Sequence, residues 1–297
     1  MKYNITSYST ALFSTWINVE ELNLLIDAGD GLSAGLLQKS RKIKNVFITH
    51  PDRDHLNGLP QFVQLNARDG FPRIHYPKDS GSFPAMSSFL KKFDPHVTSS
   101  SWVGIEDSSR VEIKNNILVE ALRNKHIKAP QGVHKSFGYK VYEVKHKLKT
   151  EFQSKSSSEI KDIVNIHGRE FITEKIETNI LSFSGDTPVD DYSKWDGSEI
   201  LIHESTFLKN EGDSQVESKG NKHSRIDEVL QMVKEINIGT LILNHFSSRY
   251  SKEEIDSAVL KLIKEYKIQI PVFLVYPGEI KRDILRTTPI NGTMNSD

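Results

Sequence analysis

Residues 48–55 read Ile48-Thr49-His50-Pro51-Asp52-Arg53-Asp54-His55. The run begins where an apolar strand, Val46 to Thr49, stops, and it ends where a helix-like stretch, Leu56 to Leu65, begins. His50, Asp52, Asp54 and His55 put four metal-capable side chains within six residues. A loop this short can turn imidazoles and carboxylates toward one point, the arrangement a divalent ion requires. The competing reading is a solvated, aspartate-rich turn whose carboxylates cap a helix. Further candidates lie far downstream at the ends of apolar strands: His126, Asp186, His223 and His245, with His203-Glu204 ending another. One strand-tip histidine is ordinarily structural. Several beside carboxylates point to a metal centre, and a centre spread over most of a chain needs a single folded scaffold.

The bulk properties set limits. A chain of 297 residues, 37% hydrophobic and 26% charged, is long enough for one large α/β domain. Nothing resembles an apolar run of membrane-spanning length, and Met1 to Thr6 reads as a first strand rather than a targeting segment. Cysteine is absent, which excludes disulfides and thiolate ligands and fits a cytoplasmic location. Any metal is therefore held by nitrogen and oxygen. Formal net charge is zero and the pI about 7.2, whereas dedicated nucleic-acid binders are usually basic. Local cationic patches occur at Lys39 to Lys44 and Lys145 to Lys149, either of which also reads as solvated surface.

Apolar strands alternate with amphipathic helices, which argues α/β construction. Strands are expected near 22–27, 44–49, 73–76, 117–125, 137–144, 179–184, 199–203, 240–245 and 271–275. Helices are expected near 33–41, 56–67, 84–93, 158–166, 225–236 and 252–266. The crossover before 117 is too irregular for a simple doubly wound sheet. Residues 205–222 are expected to loop over the mouth of the site, and 145–176 form a charged excursion. The domain is expected to span 1–286, with a flexible tail over 287–297.

The quoted segments together resemble the metallo-β-lactamase superfamily, and within it the tRNA 3′-processing endonucleases of the tRNase Z family. The resemblance covers nearly the whole chain. Asp27-Ala28-Gly29-Asp30-Gly31 is similar to the family's early turn, and His50 to Pro60 to its metal motif and following helix. Ser182 to Thr187 is similar to its bridging-aspartate segment, and His203-Glu204-Ser205-Thr206-Phe207 to its His-Glu-Ala/Ser-Thr segment. His223-Ser224 and His245-Phe246-Ser247-Ser248-Arg249-Tyr250 are similar to the segments that follow.

This resemblance implies a four-layer αβ/βα sandwich with two facing mixed sheets. It implies two divalent ions, zinc by family habit. One would be held by His50, the residue at position 52, a distal histidine and Asp186; the other by Asp54, His55, Asp186 and His245. The two would share Asp186 and a bridging hydroxide that attacks phosphorus. His126 and His134 both fit the distal position, and His126 is the ligand expected. Asp54 would orient or deprotonate the nucleophile, and His223, supported by Glu204, would protonate the leaving oxygen. Arg249 is a candidate for a substrate phosphate. A homodimer is the family's usual state.

One departure stands out. The usual second histidine of the metal motif is Asp52 here, so three carboxylates rather than two face the ions. The added negative charge lowers Lewis acidity, and an oxygen-richer site accommodates manganese or iron more readily. The expected substrate is a tRNA precursor, and 145–176 resembles the compact substrate-side insertion of some family members. The alternatives are a small phosphodiester, lactone or other ester, which the same fold supports, and a catalytically impaired metal-binding relative.

Overall fold

A computed structural model describes residues 3–97, 100–208 and 223–292. Among these residues the strands form two sheets. The first contains β1 (Ile5–Thr10), β2 (Ser14–Val19), β3 (Leu24–Ile26), β4 (Asn45–Phe47), β5 (Arg73–Pro77) and β6 (Ser101–Ile105), paired in chain order. The second contains β7 (Arg110–Lys114), β8 (Ile117–Arg123), β9 (Phe137–Leu148), β10 (Thr173–Phe183), β11 (Ile200–Glu204), β12 (Thr240–Asn244) and β13 (Val272–Leu274), again paired consecutively. Each sheet has an antiparallel part and a parallel run, β3 to β6 in one and β10 to β13 in the other.

Alternation along the strands explains the layering. Phe47, Ile202 and Ile242 point into an apolar layer shared by both sheets. Their neighbours Val46 and Ile48 point the other way, into a core under α1 (Leu32–Leu36), α3 (Leu59–Asn66) and α4 (Ser82–Phe93). Leu201, Leu241 and Leu243 likewise point outward, under α7 (Ile226–Glu235) and α8 (Lys252–Tyr266). A strand with two apolar faces is one covered on both sides, so the layers run helix, sheet, sheet, helix. This is the expected four-layer αβ/βα sandwich. The sheets are also tied by hydrogen bonds: Tyr139 Oη donates to the Ile48 carbonyl at 2.6 Å, and Phe137 N to that of Thr49 at 2.9 Å.

Several expectations need correction. The strands β2, β6 and β7 were not anticipated. The excursion 145–176 is in part a continuation of two central strands, since β9 runs to Leu148 and pairs with β10 from Thr173. Its connection carries α5 (Ser157–His167) and α6 (Arg169–Ile172), with Ser156 and Glu159 forming a capping box. The first strand begins at Ile5, and Met1 and Lys2 lie outside the described residues. Thr287 to Gly292, expected to fray, is held against β13: Ile290 N donates to the Val272 carbonyl at 2.8 Å, and Val272 N to Asn291 Oδ1 at 3.2 Å. Residues 293–297 lie outside the described residues, as does 209–222, most of the loop expected over the mouth.

Candidate metal centre

The site forms where strands end. Asp27 follows β3, His50 follows β4 by three residues, His126 follows β8, Asp186 follows β10, Glu204 ends β11 and His245 follows β12. All are at carboxyl ends of strands that run in the same sense within their sheet, where α/β folds place ligands. Asp54 and His55 lie on α2 (Arg53–Leu56), one turn long, entered through Asp52. Two glycines let the loop close. Ala28 N donates to the His55 carbonyl and Gly58 N to that of Ala28, both at 2.8 Å. A Cβ on Gly29 would meet the Asp54 carbonyl oxygen at 2.3 Å, and one on Gly58 would meet the Gly29 carbonyl oxygen at 2.2 Å.

The expected side chains converge. Asp54, His55, Asp186 and His245 present ligand atoms within 4.8 Å of one another, and so do His50, Asp52 and His126. Asp186 Oδ2 sits centrally, 3.3 Å from Nε2 of both His55 and His245 and 3.7 Å from Nε2 of His50. Asp54 Oδ2 is 3.4 Å from His55 Nε2 and 3.7 Å from His245 Nε2. Asp52 Oδ2 lies 3.6 Å from Nε2 of both His50 and His126. It makes no capping hydrogen bond to α2, so the reading as a simple helix-capping turn does not describe it. His134 is elsewhere. Its N donates to Asp79 Oδ2 at 2.7 Å, and its Nδ1 accepts from Asp107 N at 3.2 Å.

The chemistry of this donor set fits a cation. Nε2 of His50, His55 and His245 is buried with no hydrogen-bond partner among the described residues, an expensive condition for a polar atom unless a further group belongs there. The opposite ring atoms are fixed. Thr49 Oγ1 lies 3.0 and 2.9 Å from the two Asp27 oxygens. A carboxylate only accepts, so this hydroxyl donates to Asp27 and accepts from His50 Nδ1 at 2.9 Å. Thr206 Oγ1 similarly donates to Glu204 Oε2 at 2.6 Å and accepts from His245 Nδ1 at 2.9 Å. Asp27 Oδ2 accepts from His55 Nδ1 at 2.7 Å. Each network assigns the proton to Nδ1 and aims the Nε2 lone pair inward, as ligating histidines require.

Charge tells the same story. Burial, and then the neighbouring His55, holds His50 below the usual imidazole range. Burial opposes ionisation of Asp186 and Asp54, but the surrounding histidines outweigh it and hold both carboxyls well below their ordinary range. Asp52 is also held low, by the nearby imidazoles of His126 and His50. For His55 burial opposes charge, yet Asp186 and Asp27 draw a proton onto it. A cluster this rich in carboxylate recruits protons when no cation is bound, and a divalent ion displaces them.

Beside the cluster, His223 Nδ1 lies 3.0 Å from Glu204 Oε1, which also accepts from Thr187 N at 2.7 Å. Burial disfavours the imidazolium, but the charge and hydrogen bond of Glu204 push His223 up to about 9. His223 opens onto a cavity of about 210 Å³ that Asp52, Asp54, Asp186, His245, Phe207, Arg249 and the β1–β2 turn also line. Arg249 Cζ lies 5.5 Å from the Phe207 ring centroid. His203 faces away, donating from Nδ1 to the Glu204 carbonyl and meeting Trp195 edge-on. Asp27, Thr49 and Thr206 were not singled out from sequence for these orienting roles. No sequence signal marks these roles, which arise only where strand tips adjoin.

The fold and this His/Asp cluster define a metal-dependent hydrolase. Residues 11–83 match the model of the metallo-beta-lactamase superfamily. A chloroplastic tRNase Z of Arabidopsis thaliana is 30% identical over 271 residues, covering 88% of this chain and 72% of that protein. The ribonuclease Z of Bacillus licheniformis is 29% identical over 312 residues, covering 94% of each. Among solved structures, the human short-form tRNase Z superposes with TM-score 0.57 at 17% identity over 94% of this chain and 98% of that one. The metallo-beta-lactamase fold protein YhfI of Bacillus subtilis gives 0.60 at 13% identity over 95% and 100%. The chain belongs to the tRNase Z family of the metallo-β-lactamase superfamily.

Proposed function

We propose that this protein is an endoribonuclease that cleaves tRNA precursors at their 3′ side. The observation that carries the reading is the inward convergence of three orphaned Nε2 atoms on Asp186, in a chain related over most of its length to ribonucleases Z. In this reading His50, Asp52, His126 and Asp186 hold one divalent ion, and Asp54, His55, Asp186 and His245 a second. Zinc is the ion expected, with manganese or iron accommodated at the Asp52 position. Bound ions supply activated water and neutralise charge building on the phosphate. The residues do the rest. Asp54 accepts the proton of the attacking water. His223 keeps its Nδ1 proton on Glu204 and delivers one from Nε2 to the leaving oxygen. Arg249, on the cavity wall, steadies a phosphate oxygen.

The reading treats the described residues through Gly292 as one hydrolase domain working in the cytoplasm as a homodimer, a state that light scattering reads directly. The functional test compares a tRNA precursor bearing a 3′ trailer with a small phosphodiester, using metal-loaded protein and Asp54→Ala. Trailer release that depends on metal and on Asp54 supports the processing role. Cleavage of the small diester alone assigns the centre to a small phosphodiester or ester instead.

A further inference from the structure

A second cavity, of about 340 Å³, adjoins the one at the centre. The two share their walls. Along 247–252 the side chains alternate: Ser247 and Arg249 line the cavity at the centre, and Ser248, Tyr250 and Lys252 line its neighbour. The β1–β2 turn divides in the same way, with Leu12 on the first side and Phe13 on the second. The neighbouring cavity is markedly aromatic. Tyr8 and Tyr276 are half-buried on its wall, and Phe13 stands at its rim 62% exposed. Lys252 Nζ lies 4.4 Å from the Tyr276 ring centroid.

Folding does not call for a phenylalanine in that position. A ring this exposed gives up little surface to the core, and Leu12 beside it is 85% exposed. Flat rings with an ammonium beside them are what single-stranded RNA sites offer: a π-face for a base and a cation for its phosphate. Glu279, the carboxylate on the wall, suits an exocyclic amino group, because it can only accept. Arg249 and Tyr250 are consecutive residues facing the two cavities, so a nucleotide next to the scissile phosphate is the part of a substrate placed to enter.

We propose that this cavity is a nucleobase subsite: a base adjoining the scissile phosphodiester stacks on Phe13, and Lys252 meets its phosphate. The proposal rests on the RNA-cleaving reading above. It is tested with metal-loaded protein on a trailer-bearing tRNA precursor carrying 2-aminopurine on either side of the cleaved bond. Bis(p-nitrophenyl) phosphate serves as a substrate too small to reach the subsite. In Phe13→Ala and Lys252→Ala, KM for the precursor should rise roughly tenfold while the small diester changes by less than about twofold. The 2-aminopurine fluorescence should be quenched on binding by the wild type and by Phe13→Tyr, and not by Phe13→Ala. A precursor KM unchanged in Phe13→Ala, with quenching retained, overturns the subsite and leaves the RNA reading standing. An equal loss on both substrates also overturns it. Wild-type protein that cleaves the diester but neither binds nor cleaves the precursor removes both readings together.

Discussion

Asp27 Oδ2 accepts a hydrogen bond from His55 Nδ1 at 2.7 Å, between two side chains that are both fully buried. The same carboxylate takes Thr49 N at 2.7 Å and the Thr49 hydroxyl, which in turn orients His50. One buried acid thus sets two inward-facing imidazoles, one in each candidate ion position. Asp27 holds this place with a left-handed backbone, φ 56°, a conformation that costs free energy and clusters at functional sites. Asp27→Asn keeps the shape but weakens the demand on His55 for its Nδ1 proton. Metal affinity should fall roughly 10–100-fold, the usual cost of losing such an orienting partner. Competition with a chromogenic chelator measures this, and an affinity equal to wild type would refute the orienting role.

Asp52 stands where the family resemblance leads one to expect a histidine, and its carboxylate lies 3.6 Å from two imidazole nitrogens with 42% of its side chain exposed. A charged oxygen donor on the solvent side favours harder ions than an all-imidazole arrangement does. Protein purified without added metal should carry less than a full complement of zinc, and Asp52→His should raise zinc retention while lowering activation by manganese. Elemental analysis of untagged protein gives the answer. Tight zinc at full stoichiometry in the wild type would remove the idea.

The candidate ligand positions stood out in the sequence because most couple a metal-capable side chain to the end of an apolar strand, or follow such an end within a short loop. His126 and His134 could not be separated that way, since both precede β9. What distinguishes them is that Asp79 and Asp107 engage His134 across a loop. Helix α8 was legible to the residue because Ser251 and Glu254 form a capping box ahead of an amphipathic run. By contrast, β2 is buried along its length, which erases alternation, and β7 is a short, mostly charged edge strand. Thr49 and Thr206 had no sequence signature. A hydroxyl orients an imidazole only when two particular strand tips adjoin, and that is a property of the sheets.

The Glu204–His223 pair makes a prediction about charge in the metal-free protein. With His223 pushed up to about 9 in the folded chain, its proton stabilises the fold fully below the unfolded value near 6.5. That contribution disappears as pH rises through 9, a window the sign of the shift dictates. NMR titration of chelated protein should place His223 in this range, and Glu204→Gln should bring it down. In the loaded enzyme, His223→Ala should lower kcat by roughly 10²–10⁴, the ordinary worth of a general acid, with little change in KM. A loss confined to KM would assign His223 to substrate binding instead.

Gly58 tests whether the metal loop depends on the close approach of two chain segments. Its N–H bonds the Ala28 carbonyl at 2.8 Å, and an added Cβ would sit 2.2 Å from the Gly29 carbonyl oxygen and 2.9 Å from that of Ala28. These obstacles are backbone atoms, which cannot rotate away as a side-chain tip can. Gly58→Ala must therefore push the Asp27–Gly29 turn off the loop, and Asp27 carries the orientation of His55 and, through Thr49, of His50. The expected cost is about 1–3 kcal/mol of stability, typical of overpacking, accompanied by loss of metal affinity well beyond that of a surface substitution. Gly81→Ala is the control, because a Cβ there meets nothing within 4 Å. If Gly58→Ala melts and binds metal as the control does, the interlock between turn and loop is not what holds the histidines in place.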